Sequence, residues 1–170
     1  EHLVQMYGTD PRPLVRSVGH YLADALNAGE GVVVIATAAH REAFLDEMRL
    51  LGTDPAAALA DGRLVALDAH ETLARFMVDG QPDRERFEAA VRPVLSGLRE
   101  LCGAGVRAYG EMVGVLWEAG SFAAAIRLEE FWNALLRDGG FRLFCAYPID
   151  GCGDGFAPAD VDAVMSTHTH

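Results

Sequence analysis

The run Val-Val-Val-Ile-Ala at 32–36 constrains the fold more than any other segment of the chain. It is continuously apolar and mostly β-branched, without the alternation of a strand that has one face in water. Such a run is typical of a parallel strand covered on both faces. Less uniformly apolar runs at 2–7, 64–67, 106–109 and 141–147 predict further strands. Helical periodicity separates them, so we expect an α/β fold, a three-layer sandwich with a mainly parallel sheet.

Apolar spacing and breaker residues set the expected helix boundaries. The first helix follows a turn capped by Asp10 and closes at Gly29, and the second ends at Gly52 before a loop at Pro55. Pro93 is expected to kink or divide a helix at about 83–102. The other expected elements are a short helix through Leu73, Phe76 and Met77, a two-striped helix at 121–137, a Gly-rich loop at 150–155 and a last helix from Ala159.

Length and composition describe one domain spanning residues 1–170. A chain of 170 residues with 51% hydrophobic content can bury a core without disulfides or metals. No apolar run approaches the ~18 residues of a membrane span. Three cysteines, an odd number without a CxxC pair, suit a reducing cytoplasm, which is the expected location.

All 14 basic residues are arginine, and no lysine occurs. A Schiff-base enzyme or a P-loop with its phosphate-binding lysine therefore cannot be built from this chain. The formal net charge of −11 also opposes direct binding of nucleic acid. The turn at 7–13 contains one glycine, two prolines and Asp10, and it matches no phosphate-loop motif.

Motifs for catalysis or metal binding are also missing. His40 and His70 lack the second histidine of HExxH, and His168 and His170 stand at the end of the chain. The loop at 150–155 places Asp150 and Asp154 as a calcium loop would, but Cys152 stands at its third position and Val161 at its twelfth, where a glutamate is required. None of the four serines lies in GxSxG, and Cys145 is expected to be an inert core thiol, whereas Cys152 is expected to be more exposed. We therefore expect no catalytic residues, no metal site and no cofactor.

The carboxyl ends of the predicted strands supply the candidate ligand-binding residues. Ligands of parallel sheets bind there, near the point where strand order reverses. The candidates are Tyr7, Thr37, Glu111 and Tyr147, with Arg107 as an anchor for an anionic group. Glu129 shares a helical face with Asn133, and we expect Glu129 and Glu130 to form surface pairs with Arg127.

Several blocks of the sequence, in order, resemble the MEDS sensory domain, the domain of methanogen and methylotroph DcmR-type regulators. They are HLVQMY at 2–7, LNAGEGVVVIAT at 26–37, GRLVALDA at 62–69, FMVDG at 76–80, RAYGEM at 107–112, RLEE at 127–130 with WN at 132–133, and CAYP at 145–148. The resemblance runs nearly end to end. It implies a prokaryotic signalling domain that senses small hydrocarbon derivatives. It also implies distant kinship with the RecA and KaiC-like P-loop fold, here lacking a working P-loop.

The resemblance favours a non-enzymatic sensor that binds a small organic ligand and relays it to an output domain or partner protein, such as a histidine kinase or other regulator. A homodimer is left open. One alternative is a degenerate nucleotide-binding regulatory domain, which would use Arg12 or Arg107 for phosphate. Another is an interaction scaffold in which the second apolar stripe of the 121–137 helix is a docking surface.

Overall fold

The computed structural model describes residues 1–149. Along the chain the elements are β1 (His2–Tyr7), α1 (Arg12–Asn27), β2 (Gly31–Ala36), α2 (Ala38–Leu50), α3 (Pro55–Ala60), β3 (Leu64–Asp68), α4 (Ala69–Ala74), β4 (Met77–Val78), β5 (Gln81–Pro82), α5 (Arg84–Cys102), β6 (Val106–Gly110), α6 (Met112–Glu118), α7 (Phe122–Arg137) and β7 (Phe141–Pro148). The Gly-rich loop at 150–155, the helix from Ala159 and the chain-end histidines lie outside the described residues.

Five parallel strands form the central sheet in the order β1-β7-β6-β2-β3. β2 lies between β6 and β3, and all six of its residues are buried, as its uninterrupted apolar run predicts. Side chains from α1, α2 and α3 cover one face of the sheet, and side chains from α4 to α7 cover the other. The α/β architecture with a mostly parallel sheet is therefore confirmed, with helices on both faces.

Local signals account for the differences from the expected boundaries. The loop predicted at Pro55 is wrong, because α3 begins at that residue. The Asp54 side chain caps this helix by accepting a hydrogen bond from the Ala57 N–H at 2.9 Å, and a proline suits the first turn of a helix. The cap expected from Asp10 is also wrong. Pro11 occupies the cap position, and the Asp10 carboxylate accepts hydrogen bonds from the Arg12 backbone N–H at 3.1 Å and from the Arg12 side chain at 2.8 Å.

The short helix expected through Phe76 and Met77 ends earlier, at Ala74, and a β-hairpin follows. Asp79 and Gly80 connect β4 and β5 with φ angles of 49° and 77°, the positive values that a two-residue Asp-Gly turn requires. This dipeptide is a standard hairpin signal, so the hairpin was predictable from the sequence.

Pro93 does not divide α5, which runs as one helix over 19 residues. Phe87, Val91, Leu95 and Leu98 are buried along one face, so packing on the sheet holds both sides of the proline. A proline in a helix removes one backbone hydrogen bond, and burial of these side chains at ~1.5–3 kcal/mol each exceeds that loss.

Both apolar stripes of α7 pack inside the domain. Ala125 and Trp132 of the first stripe are buried, and so are Leu128, Phe131 and Leu135 of the second. The second stripe is therefore part of the core, and a docking surface on it loses its basis.

Candidate functional site

A cavity of about 400 Å³ opens at the carboxyl end of the sheet. The chain leaves β2 toward α2 on one face of the sheet and leaves β6 toward α6 on the other, so the two connections diverge above adjacent strands. Crevices of this kind are the usual ligand sites of open α/β sheets. The polar lining consists of Tyr7, Thr9, Thr37, His40, Glu111 and Glu118, and the remaining lining of Gly8, Pro11, Gly114, Val115 and Pro148.

Glu111 is the centre of this site. It follows β6 directly and its residue surface is only 3% exposed. Its Oε1 accepts a hydrogen bond from the Thr37 N–H, and its Oε2 accepts one from the Tyr109 hydroxyl at 3.0 Å and one from His40 Nδ1 at 2.7 Å. A carboxylate with these donors is held in one orientation, at the junction of α2, β6 and α6.

The Glu111 carboxylate occupies the first turn of α2, where Thr37 is the cap residue. A helix N-terminus with free N–H groups attracts phosphate and other anions. Here the side chain of Glu111 takes up the Thr37 N–H and adds its own negative charge. The start of α2 is therefore poorly suited to bind a phosphate group.

His40 links Glu111 to the aromatic residues around the cavity. Its ring stacks on Phe44 with centroids 5.6 Å apart and meets the edge of Tyr7 at 5.7 Å. Because a carboxylate only accepts hydrogen bonds, Nδ1 carries a proton. The hydrogen bond to Glu111 raises the pKa of His40, an effect that partial burial opposes.

Tyr7 contributes a hydroxyl that stays protonated at neutral pH. Partial burial, together with the negative charges of Glu111 and Glu118, raises the pKa of Tyr7 to about 12. The cavity therefore combines a carboxylate, an imidazole and a neutral phenol, all of which are able to form hydrogen bonds.

The sequence model of the MEDS family, described as the methanogen/methylotroph DcmR sensory domain, matches residues 1–169. The chain belongs to this family. The match covers nearly the whole chain and confirms the resemblance seen in the sequence blocks. No curated protein is significantly similar to the chain. Among residues 1–149, no helix has both the length and the apolar character needed to cross a membrane.

Of the five residues that the sequence singled out in this MEDS domain, Tyr7, Thr37 and Glu111 line the cavity together. Arg107 lies near the amino end of β6, where its Nε donates to Glu30 at 2.7 Å and its Nη1 to the Tyr21 carbonyl at 3.1 Å. Arg107 thus belongs to an ion pair at the opposite end of the sheet.

Tyr147 faces the other layer of the domain. It is 1% exposed, packs edge-on against Trp117 at 5.5 Å, and its hydroxyl donates to Glu129 Oε1. The two residues therefore lie inside the core, and the expected surface pairing of Glu129 with Arg127 is wrong, because Glu129 has 0% exposure. The face of α7 that carries Glu129 and Asn133 is turned toward the sheet.

The sequence reasoning did not select His40 as a site residue, because it was tested only as part of a metal motif. Its position three residues after Thr37 places it in the first turn of a helix that follows a buried strand. Polar residues in that turn lie beside the carboxyl ends of the strands, and this is the signal that identifies His40.

Proposed function

We propose that this MEDS domain is a non-enzymatic signal-transduction sensor that binds a small organic ligand in the cavity around Glu111. The observation that carries the proposal is the buried, hydrogen-bonded Glu111 carboxylate in the wall of an open cavity. A few polar groups of fixed orientation in a partly apolar cavity are typical of small-molecule sites. Family membership supports the sensory role.

The charges around the cavity favour a neutral or cationic ligand. Among the described residues that line it, Glu111 and Glu118 are acidic and none is arginine. Val115, Pro11 and Pro148 add apolar surface on which a short hydrocarbon portion can pack. We therefore expect an alcohol, an amine or a similar hydrocarbon derivative with one polar head, bound through Glu111, His40 or Tyr7.

Binding in this cavity has a structural route to the rest of the protein. The lining includes Pro11 just before α1, Thr37 just before α2, and Gly114 within α6. A ligand that contacts all three segments changes how these helix starts are held relative to one another. We propose that an output domain or partner protein, such as a histidine kinase or another regulator in a prokaryotic cytoplasm, responds to that change.

Binding of a nucleotide as a regulatory ligand is the second candidate, and the distant relation to RecA and KaiC-like proteins remains an expectation. The phosphate anchors considered for it have other partners. Arg12 is paired with Asp10 at 2.8 Å, and Arg107 with Glu30. Together with Glu111 at the start of α2, these contacts favour the small organic ligand.

A thermal-shift screen tests the proposal. The purified domain is heated with small alcohols, amines, halomethanes and organic acids, and separately with ATP, ADP and GTP with and without magnesium. A ligand present at about 100 times its Kd adds ~2.7 kcal/mol, or roughly 5–11 °C for a chain of this length. We expect shifts from alcohols or amines and none from nucleotides.

Two variants test whether a ligand that shifts the melting temperature binds in the cavity. Glu111→Gln removes the carboxylate charge, and Val115→Phe fills the cavity without changing the hydrogen bonds of Glu111. Both should lose the response, whereas Glu130→Gln, a change on the exposed face of α7, should keep it. A domain that responds to nucleotides, that responds to no small organic compound, or that responds equally with Val115→Phe contradicts the proposal.

A further inference from the structure

Three potential metal ligands meet inside the core, on the sheet face covered by α7. His2 lies at the start of β1, Cys145 in β7 and Glu129 in α7. The side chains of His2 and Glu129 are 1% and 0% exposed, and Cys145 is 0% exposed. His2 and Cys145 are 143 positions apart in the chain, so no sequence motif could reveal this His2–Glu129–Cys145 cluster.

The three ligand atoms are spaced as the corners of a metal coordination polyhedron. His2 Nε2 lies 3.3 Å from Cys145 Sγ and 3.4 Å from Glu129 Oε2, and all three atoms lie within 4.8 Å of one another. Zinc bonds of ~2.3 Å to sulfur and ~2.0–2.1 Å to nitrogen or oxygen give tetrahedral edges of roughly 3.3–3.6 Å. The two edges that meet at Nε2 fall within that range.

Neighbouring residues orient two of the three ligands. The Asn133 Oδ1 carbonyl lies 3.0 Å from His2 Nδ1, and because that oxygen accepts, Nδ1 carries a proton and Nε2 is the ring nitrogen that faces the cluster. The Tyr147 hydroxyl donates to Oε1 of Glu129, the oxygen that does not face His2. Metal-binding histidines and carboxylates generally have such partners.

We propose that the His2–Glu129–Cys145 cluster binds one Zn²⁺ through His2 Nε2, Cys145 Sγ and Glu129 Oε2. Mixed nitrogen, sulfur and oxygen donors are a typical zinc set. On binding, the thiol proton leaves to solvent, so a thiolate and a carboxylate together neutralise the two charges of the ion. A neutral assembly suits a buried position, where an uncompensated charge is costly.

Metal analysis of the full chain, without an affinity tag, tests the assignment. The protein is equilibrated with Zn²⁺, freed of loosely held metal by gel filtration and analysed by mass spectrometry for zinc per chain. We expect one zinc ion per chain, and loss of that ion in Cys145→Ser and Glu129→Gln. Cys102→Ser, which changes a thiol outside the cluster, and a double His168→Gln, His170→Gln variant should keep it.

Asn133 is a positioning residue, and its contribution has a separate readout. Asn133→Ala should weaken zinc affinity about 10–100-fold, measured by competition with a chelator, while the stoichiometry at saturating zinc stays the same. Asn133→Asp retains an acceptor for the His2 N–H and should restore most of the affinity.

X-ray absorption of the zinc-loaded wild-type protein identifies the atoms bound to zinc without any substitution. It therefore tests the proposal even if the core variants fail to fold. We expect one sulfur neighbour at about 2.3 Å and the rest nitrogen or oxygen at about 2.0 Å. A protein that retains no zinc, a zinc shell without sulfur, or zinc retained by folded Cys145→Ser overturns the proposal. The cluster is then a hydrogen-bonded network without metal.

Discussion

Replacing His40 with glutamine tests the electrostatics of the cavity independently of any ligand. His40 Nδ1 donates to Glu111 at 2.7 Å, and the His40 side chain is 19% exposed, so the pair is only partly screened by water. A hydrogen bond between charged groups contributes ~1.5–3 kcal/mol, and partial exposure reduces this to about 1–2 kcal/mol. We therefore expect His40→Gln to lower the free energy of unfolding by about 1–2 kcal/mol below pH ~6.

The sign of the pH dependence follows from the raised pKa of His40. Between the unfolded pKa of ~6.5 and the higher folded pKa, the folded protein holds a proton that the unfolded protein has released. The stabilisation is complete below the unfolded pKa and is lost as the pH rises through the folded pKa. The cost of His40→Gln should accordingly shrink toward the value of a neutral hydrogen bond, about 0.5–1 kcal/mol, at alkaline pH.

Urea unfolding from about pH 5.5 to 8.5, the range in which histidines titrate, measures this difference. His70→Gln is the matched control, because His70 is exposed and its ring makes no contact that depends on Glu111. Equal costs of His40→Gln at both ends of the pH range, or a cost that grows with pH, would refute the reasoning.

Three further substitutions test the packing and charge pairing of the fold by urea unfolding. Glu30→Gln should cost about 3 kcal/mol, because the Glu30 side chain is 8% exposed and pairs with two arginines at 2.7 and 2.5 Å; a cost below about 1 kcal/mol would place the pairs in effectively aqueous surroundings. Gly114→Ala should cost about 1–3 kcal/mol, because its Cβ would lie 2.6 Å from the Ala146 carbonyl oxygen; no loss would mean that α6 shifts freely against β7. A Cβ added by Gly97→Ala would meet nothing within 4 Å on the exposed face of α5 and should stabilise by up to about 1 kcal/mol; destabilisation would indicate that this surface is packed.

The strands were predictable because their signal is local. The buried run at 32–36 and the other apolar runs contain the hydrophobic pattern of parallel strands, and the structure has strands at all of these places. The α3 helix and the Asp79-Gly80 hairpin were also encoded locally, by an Asp-Pro start and an Asp-Gly turn, although a coarse reading of apolar runs overlooked both. Strand order has no such signal, since it depends on which helices cover which face.

The candidate site, like the fold, was predictable only where the signal is local in the sequence. The rule that ligands bind at carboxyl ends of strands selected Tyr7, Thr37 and Glu111, which do lie together. It failed for Tyr147, because alternate residues of a strand face opposite layers and the sequence does not state which layer holds the cavity. It also could not find the contacts of Glu129, because these depend on packing between residues far apart in the chain.

Glu111 explains why the cavity and the stability of the fold are coupled. Its carboxylate is bonded to the start of α2 through Thr37, to α2 again through His40, and to β6 through Tyr109. A ligand amine or hydroxyl that binds Glu111 must share or replace one of these donors, and the donor with partial exposure is His40. Displacement of His40 would remove one of the two hydrogen bonds between Glu111 and the start of α2, leaving the one from the Thr37 N–H, and it would also remove the histidine's pH dependence. Ligand binding at neutral pH should therefore flatten the pH profile of wild-type stability toward that of His40→Gln, and an unchanged profile with a saturating ligand would show that the ligand binds without displacing His40.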